Sequence, residues 1–529
     1  MDPERMSARL PPQLAALLQP EAYPHAVAKV KLVETHVSWV FLTGELAYKI
    51  KKPVCYTFVD LRSPERRAFF CAEELRLNRR FSPELYLDVC TITLEDGQAR
   101  ICGAGPVIDH AVRMRQFRSE DELAALLAQG TLAAAELSTF GRELAELHAG
   151  LPAADAAQPW GRPECVRALL LENLAEWLQA AGKLGAPEAP GGLRERYSAR
   201  LEAAQPWLAM RRESGKVREC HGDLHAGNIV RYGGRLHAFD CMEFEPAFRW
   251  IDVGEEIASL FMDLCARQCR AHAYAFVNGY FFHSGDYQAC RLLRLYATHR
   301  ALVRAKVAAL RALDASAETA RAGSRSEHRR YVACARKLLA PVPLRLILTC
   351  GVSGSGKTWL AERLAPRLGL IHLRSDVERK RLAGLTERQR SGAALDEGPY
   401  SAQMSRQVYE RLQQGAAEAL LGGCSVIVDA TFQYRAERTR FRALATRYSA
   451  ALYVILCQAP PQVLEERIAA RQRAGADASE ADRQVLQRQQ SRFEPIAAEE
   501  SLQVIDADTT AAEVVGRVAK LCVADSASA

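Results

Sequence analysis

In the first part of the chain, apolar residues recur at every second position. His36-Val-Ser-Trp-Val-Phe-Leu, the turn Thr43-Gly44-Glu45 and Leu46-Ala-Tyr-Lys-Ile-Lys predict a β-hairpin within a strand-rich stretch from about Ala26 to Asp96. From about Glu120 to Arg321 the period becomes helical, broken by a short Gly-containing stretch at 217–245. Loops are expected at 152–163 and 186–192, where Pro, Gly and Ala cluster. From Leu344 onward apolar strands alternate with amphipathic helices, which predicts a parallel α/β sheet. Between these regions, 322–340 predicts a basic helix stopped by Pro341-Val-Pro343. Its Arg325, Arg329, Arg330, Arg336 and Lys337 suit a solvated linker face better than a polyanion site.

The expected organisation is a lead-in at 1–25, a domain at 26–321, a linker at 322–343, a domain at 344–522 and a tail at 523–529. A chain of 529 residues has room for these domains. With 49% hydrophobic and 25% charged residues it is globular, not disordered or collagenous. The net charge of +7 is mild for this length and does not demand nucleic acid. No apolar run reaches the roughly 18–20 residues of a membrane span, and the start has no apolar signal region, so a cytoplasmic, membrane-free protein is expected. The 15 cysteines are scattered; only Cys265 and Cys269 lie close, with no second pair for zinc, so reduced buried thiols are expected.

The strongest local signal is Gly351-Val352-Ser353-Gly354-Ser355-Gly356-Lys357-Thr358, which fits GxxxxGK[ST], follows an apolar strand and opens a helix. Its glycines let backbone N–H groups close around a phosphate at a helix N-terminus. Lys357 should reach the β/γ-phosphates and Thr358 should bind Mg²⁺. Asp376, at the end of the next strand, is placed to take a proton from an acceptor hydroxyl. Asp429 ends a buried strand, the place for a carboxylate that positions Mg²⁺ or water. Arg467 and Arg471, one helical turn apart, suit either a lid that clamps nucleotide phosphates or a solvated helix face.

A second constellation is His221-Gly222-Asp223-Leu224-His225-Ala226-Gly227-Asn228, followed after a hairpin by Asp240. Asp223 is placed to accept an alcohol's proton, Asn228 to turn back onto Mg²⁺ and Asp240 to supply the second metal carboxylate. One base and two metal oxygens are the minimum for moving a γ-phosphoryl group.

At GVSGSGKT, the RSD of 374–376, the VDAT of 428–431, the ERIAARQR of 466–473 and the DASEAD of 477–482, the chain resembles small P-loop kinases of the polynucleotide-kinase, gluconate-kinase and zeta-toxin type, a segment also named AAA-family. The resemblance covers about 344–520. It implies phosphoryl transfer from ATP to a hydroxyl, with Asp376 as base. At HGDLHAGN the chain resembles the aminoglycoside phosphotransferase branch of the protein-kinase-like fold, over roughly 25–315. Asp252, in the downstream acidic segment with Glu255 and Glu256, is then expected to hold the catalytic loop. The same resemblance implies a lysine on a strand paired with a glutamate on a helix: Lys49, with Lys51 and Lys52 as competitors, and Glu74, with Glu73 next. No GxGxxG precedes the lysine strand; Glu34-Thr35-His36 stands there instead.

The expected architecture is therefore an α+β bilobal kinase-like domain followed by an α/β P-loop domain with a mostly parallel sheet. The expected activity is ATP·Mg²⁺-dependent phosphoryl transfer to small-molecule hydroxyls at two sites. The alternatives are a nucleotide-sensing ATPase switch and a nucleic-acid 5′-OH kinase; the absence of an interleaved aromatic stripe argues against nucleic acid. Arg300, Arg304 and Arg311 share one helical face. If that face lines the cleft, the acceptor is anionic or neutral; otherwise the face is solvated or packed between domains.

Overall fold

The computed structural model describes residues 10–56, 59–185, 192–386, 389–391, 398–474 and 478–524. The start of the lead-in, most of the expected loop at 186–192, Asp477 and the end of the tail lie outside the described residues. The chain packs as two compact units. One runs up to Glu136 and adds Leu147–Val166 and Leu208–Leu260; the other is Leu137–Glu146, Arg167–Trp207 and everything from Phe261 on.

The first unit is built on an antiparallel sheet. Its strands are β1 (Lys31–Glu34), β2 (Ser38–Leu42), β3 (Leu46–Lys51), β6 (Tyr86–Glu95), β7 (Gln98–Ile101) and β8 (Val107–Arg115), in the order β1-β2-β3-β8-β6-β7. The short pair β4 (Cys55–Tyr56) and β5 (Val59–Asp60) precedes helix α1 (Pro64–Phe81). Ser63 starts that helix by accepting the Arg66 N–H, with Pro64 in the first turn. Strand alternation gives β3 two different faces. Tyr48 and Ile50 join Trp39, Phe41, Leu14 and Leu17 in one core, while Ala47 joins Cys71 of α1 in another. Lys49 and Lys51 share the face of Ala47 and are buried there. The unit also holds α2 (Leu123–Gln129), the ends of α3 (Ala134–Gly150), the start of α4 (Pro163–Lys183), the last turns of α5 (Leu193–Glu213), the antiparallel pairs β9 (Val217–Glu219) with β12 (Trp250–Asp252) and β10 (Ile229–Tyr232) with β11 (Arg235–Ala238), and the first turns of α6 (Val253–Ala266).

In the second unit, the long helices α7 (Arg270–Ser284), α8 (Cys290–Asp314) and α9 (Glu318–Leu339) share one body with a parallel sheet. The elements that follow are β13 (Arg345–Cys350), α10 (Lys357–Leu368), β14 (Ile371–Arg374), α11 (Ser375–Leu382), α12 (Ala402–Leu421), β15 (Val426–Asp429), α13 (Arg435–Arg447), β16 (Ala451–Gln458), α14 (Pro461–Ala474), α15 (Arg483–Arg492), β17 (Gln503–Asp508) and α16 (Val514–Ala524). The sheet order is β14-β15-β13-β16-β17, every pairing parallel. The central strands are continuous apolar runs because both faces are covered. On one face Ile347, Ile427 and Ile455 pack against Leu360, Leu364 and Val518 of α10 and α16.

The helix expected at 322–340 lies within the second compact unit. The basic helix there is α9, and one side of it is core: His328, Tyr331, Cys334, Ala335 and Leu339 are buried. The Tyr331 hydroxyl donates to Asp263 at 2.7 Å and His328 contacts the Ala305 carbonyl at 3.0 Å. Arg325, Arg329, Arg336 and Lys337 stay exposed, as a solvated face requires. Arg304 and Arg311 of α8 face α9. They lie 3.9 and 2.7 Å from Glu327 of α9, so this basic face is a helix–helix contact and says nothing about an acceptor.

Candidate active sites

In the first unit the lysine strand and α1 meet at Glu74, whose side chain is fully buried. Lys49 Nζ lies 2.7 Å from Glu74 and 2.5 Å from Asp240. Lys51 Nζ lies 2.5 Å from the other Glu74 oxygen and also meets Glu243. The two competing lysines therefore share one glutamate, and Asp240 distinguishes them by reaching only Lys49. Glu73 points elsewhere, to Arg76 and Arg249. Burial alone would lower the Lys49 ammonium, but Asp240, Glu74 and Glu243 outweigh it and hold its pKa well above the usual value. Asp240 is displaced the opposite way: removal from water would raise it, yet Lys49 keeps it below the ordinary carboxylate range. Lys52 ties the β1–β2 loop, meeting Glu34 and the Thr35 carbonyl, each at 2.5 Å. This loop stands where the glycine-rich loop is missing.

The catalytic-loop candidates fold back on themselves. Asn228 Nδ2 donates to the Asp223 carbonyl at 3.0 Å, and the Phe239 N–H donates to the Asn228 carbonyl at 2.9 Å, which brings the Asp240 strand end alongside. His225 Nδ1 accepts the Gly227 N–H, leaving Nε2 3.4 Å from Asp223 Oδ2. Burial lowers the His221 pKa to about 4, and the field of Asp223 and Asp240 only partly opposes it. A neutral His221 suits its partners: Nε2 faces the Phe239 carbonyl at 2.8 Å and Nδ1 faces the Asp223 N–H at 3.3 Å. Asp240 has φ +63°, a left-handed conformation uncommon for an aspartate and costly enough to need support. The Tyr86 hydroxyl supplies some by accepting the Asp240 N–H at 3.1 Å.

Asp252, expected to hold the loop, is an ion-pair partner in the structure. Its carboxylate pairs with buried Arg211 at 2.6 and 2.9 Å. Glu256, from the same acidic run, meets the loop directly: its two oxygens accept the His221 and Gly222 N–H groups at 2.8 and 3.1 Å. The acidic run 252–256 was visible in the sequence, but a helix begins at Val253 and turns each acid in a different direction. Glu243 had no local signal.

In the second unit, Gly351 to Gly356 links β13 to α10. Gly351, Gly354 and Gly356 have φ of +140°, +82° and +85°. A Cβ on any of them would come within 2.6–2.8 Å of an oxygen of Cys457, Leu464 or Thr509. The cradle thus exists only with glycine, and Ser355 Oγ is buried in it without a hydrogen-bond partner among the described residues. These features fit a bound phosphate. Lys357 Nζ donates to the Val352 carbonyl at 2.8 Å, and burial lowers its pKa despite Asp429 and Asp376 nearby. Thr358 Oγ1 donates to Asp429 Oδ2 at 2.7 Å. Burial would raise Asp429, but His372, Arg374 and Thr358 around it hold it at about 2. A hydroxyl and an ionised carboxylate in contact are hard oxygen donors suited to Mg²⁺.

These groups open into a cavity of about 760 Å³ that is also lined by Asp376, in the first turn of α11. Asp376 makes no hydrogen bond or ion pair with the described residues, yet its charge is felt at Lys357 and Tyr400. Burial pushes Glu437, on the same wall, up to about 7. Arg467 and Arg471 line the cavity too. Arg467 is tied to the Gly354 carbonyl (3.2 Å) and to Thr509 (2.8 Å), beneath the phosphate loop, and Arg471 to the Ala481 carbonyl (2.9 Å). Nine of the lining residues are Lys or Arg and three are Asp or Glu.

Residues 71–293 match the Phosphotransferase enzyme family and 346–496 match an AAA domain. An uncharacterized protein of Mycobacterium tuberculosis is 30% identical over 446 residues, covering 84% of this chain and 87% of its own. Its Mycobacterium bovis counterpart gives the same figures. Among solved structures, a gluconokinase from Sinorhizobium meliloti is 22% identical, covering 36% of this chain and 96% of its own, with a TM-score of 0.26. A choline/ethanolamine kinase family protein from Mesorhizobium loti is 13% identical over 59% of this chain and 93% of its own, with a TM-score of 0.31.

Proposed function

This chain belongs to one family with the mycobacterial proteins and joins a Phosphotransferase enzyme family domain to an AAA domain, and on that premise we propose that it moves the γ-phosphoryl group of ATP to alcohols at two separate sites. One observation carries the proposal furthest. A loop that only glycine can form, Lys357, and the Thr358–Asp429 contact all face a single cavity that also receives Asp376.

At that site the loop N–H groups and Lys357 bind the β- and γ-phosphates, Lys357 exchanging the Val352 carbonyl for phosphate oxygen. Asp376 takes the proton of the acceptor hydroxyl as its oxygen bonds to the γ-phosphorus, and the bridging oxygen leaves with ADP. Thr358 and Asp429 would hold Mg²⁺, which when bound neutralises phosphate charge. In the first unit, Lys49 orients the nucleotide phosphates, braced by Glu74, and Asp223 accepts the proton. Asn228 and Asp240 would hold the metal there, their amide and carboxylate oxygens being of the right hardness.

The acceptor of the P-loop site is a small molecule carrying negative charge. Mg·ATP brings a net charge of only about −2, far short of the cationic excess of the cavity walls. No described helix is long and apolar enough to cross a membrane, and all fifteen cysteines are free thiols, which suits a reducing cytoplasm.

A labelling experiment tests the proposal. The protein is incubated with γ-labelled ATP and a panel of sugars, sugar acids, sugar phosphates, nucleosides and 5′-OH oligonucleotides. Lys357→Ala and Asp376→Asn should remove one labelled product, and Asp223→Asn and Asp240→Asn the other, each by roughly 10²–10⁴-fold. ATP consumption without any labelled acceptor, abolished by Lys357→Ala, would instead establish an ATPase switch. The tied β1–β2 loop favours that second reading for the first unit. Equal activity in all four variants would remove both sites.

A further inference from the structure

Strand β14 is an edge of the parallel sheet and leads directly into Asp376. An edge strand leaves outward N–H and C=O groups to be satisfied elsewhere. Here one side chain from α7 takes two of them. Asn278 Nδ2 donates to the Leu370 carbonyl at 2.9 Å, and Asn278 Oδ1 accepts the His372 N–H at 2.9 Å. The amide brackets Ile371 as a neighbouring strand would.

The other flank of Asp376 is anchored by the turn after α7. Glu378, fully buried, accepts the Tyr287 hydroxyl at 3.0 Å. Arg381, paired with Glu378, donates to the Phe282 carbonyl at 2.7 Å, and Arg411 of α12 donates to the Gly285 carbonyl at 2.8 Å. The Tyr287 ring rests against α12 at Gly415, where a Cβ would lie 3.0 Å from the ring. Asp376 is thus held four residues before and two residues after itself, from helices that fall within the Phosphotransferase enzyme family match at 71–293.

We infer that Asn278 and Tyr287 are positioning residues for the P-loop site, so that helices of the phosphotransferase domain set the place of the P-loop base. The inference rests on Asp376 as that base. An edge strand followed by a short helix has little of its own to fix it, and proton transfer tolerates little displacement. A shift of about 1 Å costs up to about 10²-fold in rate. The phosphate loop leaves β13, two strands away, and its hydrogen bonds run to Thr431, Gln489 and Thr509 rather than to Asn278 or Tyr287, so nucleotide binding should be indifferent to these two side chains.

The test uses the full chain with Asp223→Asn to silence the first site, γ-labelled ATP as donor, and release or transfer of label as readout. Tyr287→Phe keeps the ring and should lower kcat about 10-fold; Asn278→Leu should lower it up to about 10²-fold, and Asn278→Gln should restore part of that loss. The KM for ATP and the Kd for ADP should stay within about twofold. A purely structural role would lower Tm and leave kcat per folded molecule unchanged. If Asn278→Leu does not fold, Tyr287→Phe decides alone. Wild-type kcat in Tyr287→Phe, with activity lost in Asp376→Asn and Lys357→Ala, overturns the inference and leaves the function standing. No ATP turnover in the parent chain, or full turnover in Asp376→Asn and Lys357→Ala, overturns the function and the inference together.

Discussion

Lys51 reaches one carboxylate oxygen of Glu74 at 2.5 Å, while Lys49 holds the other at 2.7 Å. The two lysines stand two residues apart on one strand and differ in what else they touch. Lys49 reaches Asp240, at the candidate metal position; Lys51 reaches Glu243 in the interior. Lys49→Met should therefore lower phosphoryl transfer at the first site by roughly 10²-fold while Lys51 still neutralises Glu74. Lys51→Met strands buried carboxylate charge and should cost about 3–5 kcal/mol of stability. Urea unfolding beside a label-transfer assay separates the two outcomes.

Glu256 binds two main-chain N–H groups of the catalytic loop. Glu256→Ala removes the acceptor of both buried groups, at about 1–3 kcal/mol for each hydrogen bond lost. The first-site product should fall sharply while the second-site product is unchanged. Asp252→Ala, which removes the carboxylate paired with buried Arg211, should act mainly on stability, measured by the unfolding midpoint.

Gly354 has φ +82°, and a Cβ there would sit 2.8 Å from the Leu464 carbonyl. Gly354→Ala should weaken ADP binding at the P-loop site by at least roughly 10-fold, through strain of about 1–3 kcal/mol. Calorimetric titration of ADP into an Asp240→Asn background reads that site alone.

Burial lowers His148 and His299 to about 3 and His221 to about 4. The unfolded chain takes up these protons from about pH 6.5 downward, while the folded chain does not until its lower values. The stabilising contribution is therefore complete above about pH 6.5 and is lost as pH falls toward 4. Each histidine should account for about 2 kcal/mol between about pH 7 and pH 5. His299→Gln should shrink the difference between the urea unfolding free energies at those two pH values by that amount.

Both chemical loops are legible in the sequence because their conformations are local. Glycines at 351, 354 and 356 and the spacing from Asp223 to Asn228 carry their own backbone geometry. Partners across space are not legible in the same way. Glu256 and Asp252 belong to one acidic run, and only the start of α6 at Val253 decides which of them turns to the loop. Arg304 and Arg311 share a face in any helix, but Glu327 of α9 claims that face. Arg467 has the spacing of a lid arginine and is tied to the phosphate loop's own backbone.

The sequence by itself determined the two kinase-type loops, the strand and helix periods that frame them, and the candidate residues of each site, because hydrophobic period and glycine torsions act over a few neighbouring residues. Only the tertiary structure decided which charge meets which, that α9 is core on one side, and that α7 and the turn at Tyr287 brace the strand and helix on either side of Asp376. Those contacts join residues up to 192 positions apart, and their energies depend on how helices pack and exclude water, which no local pattern encodes.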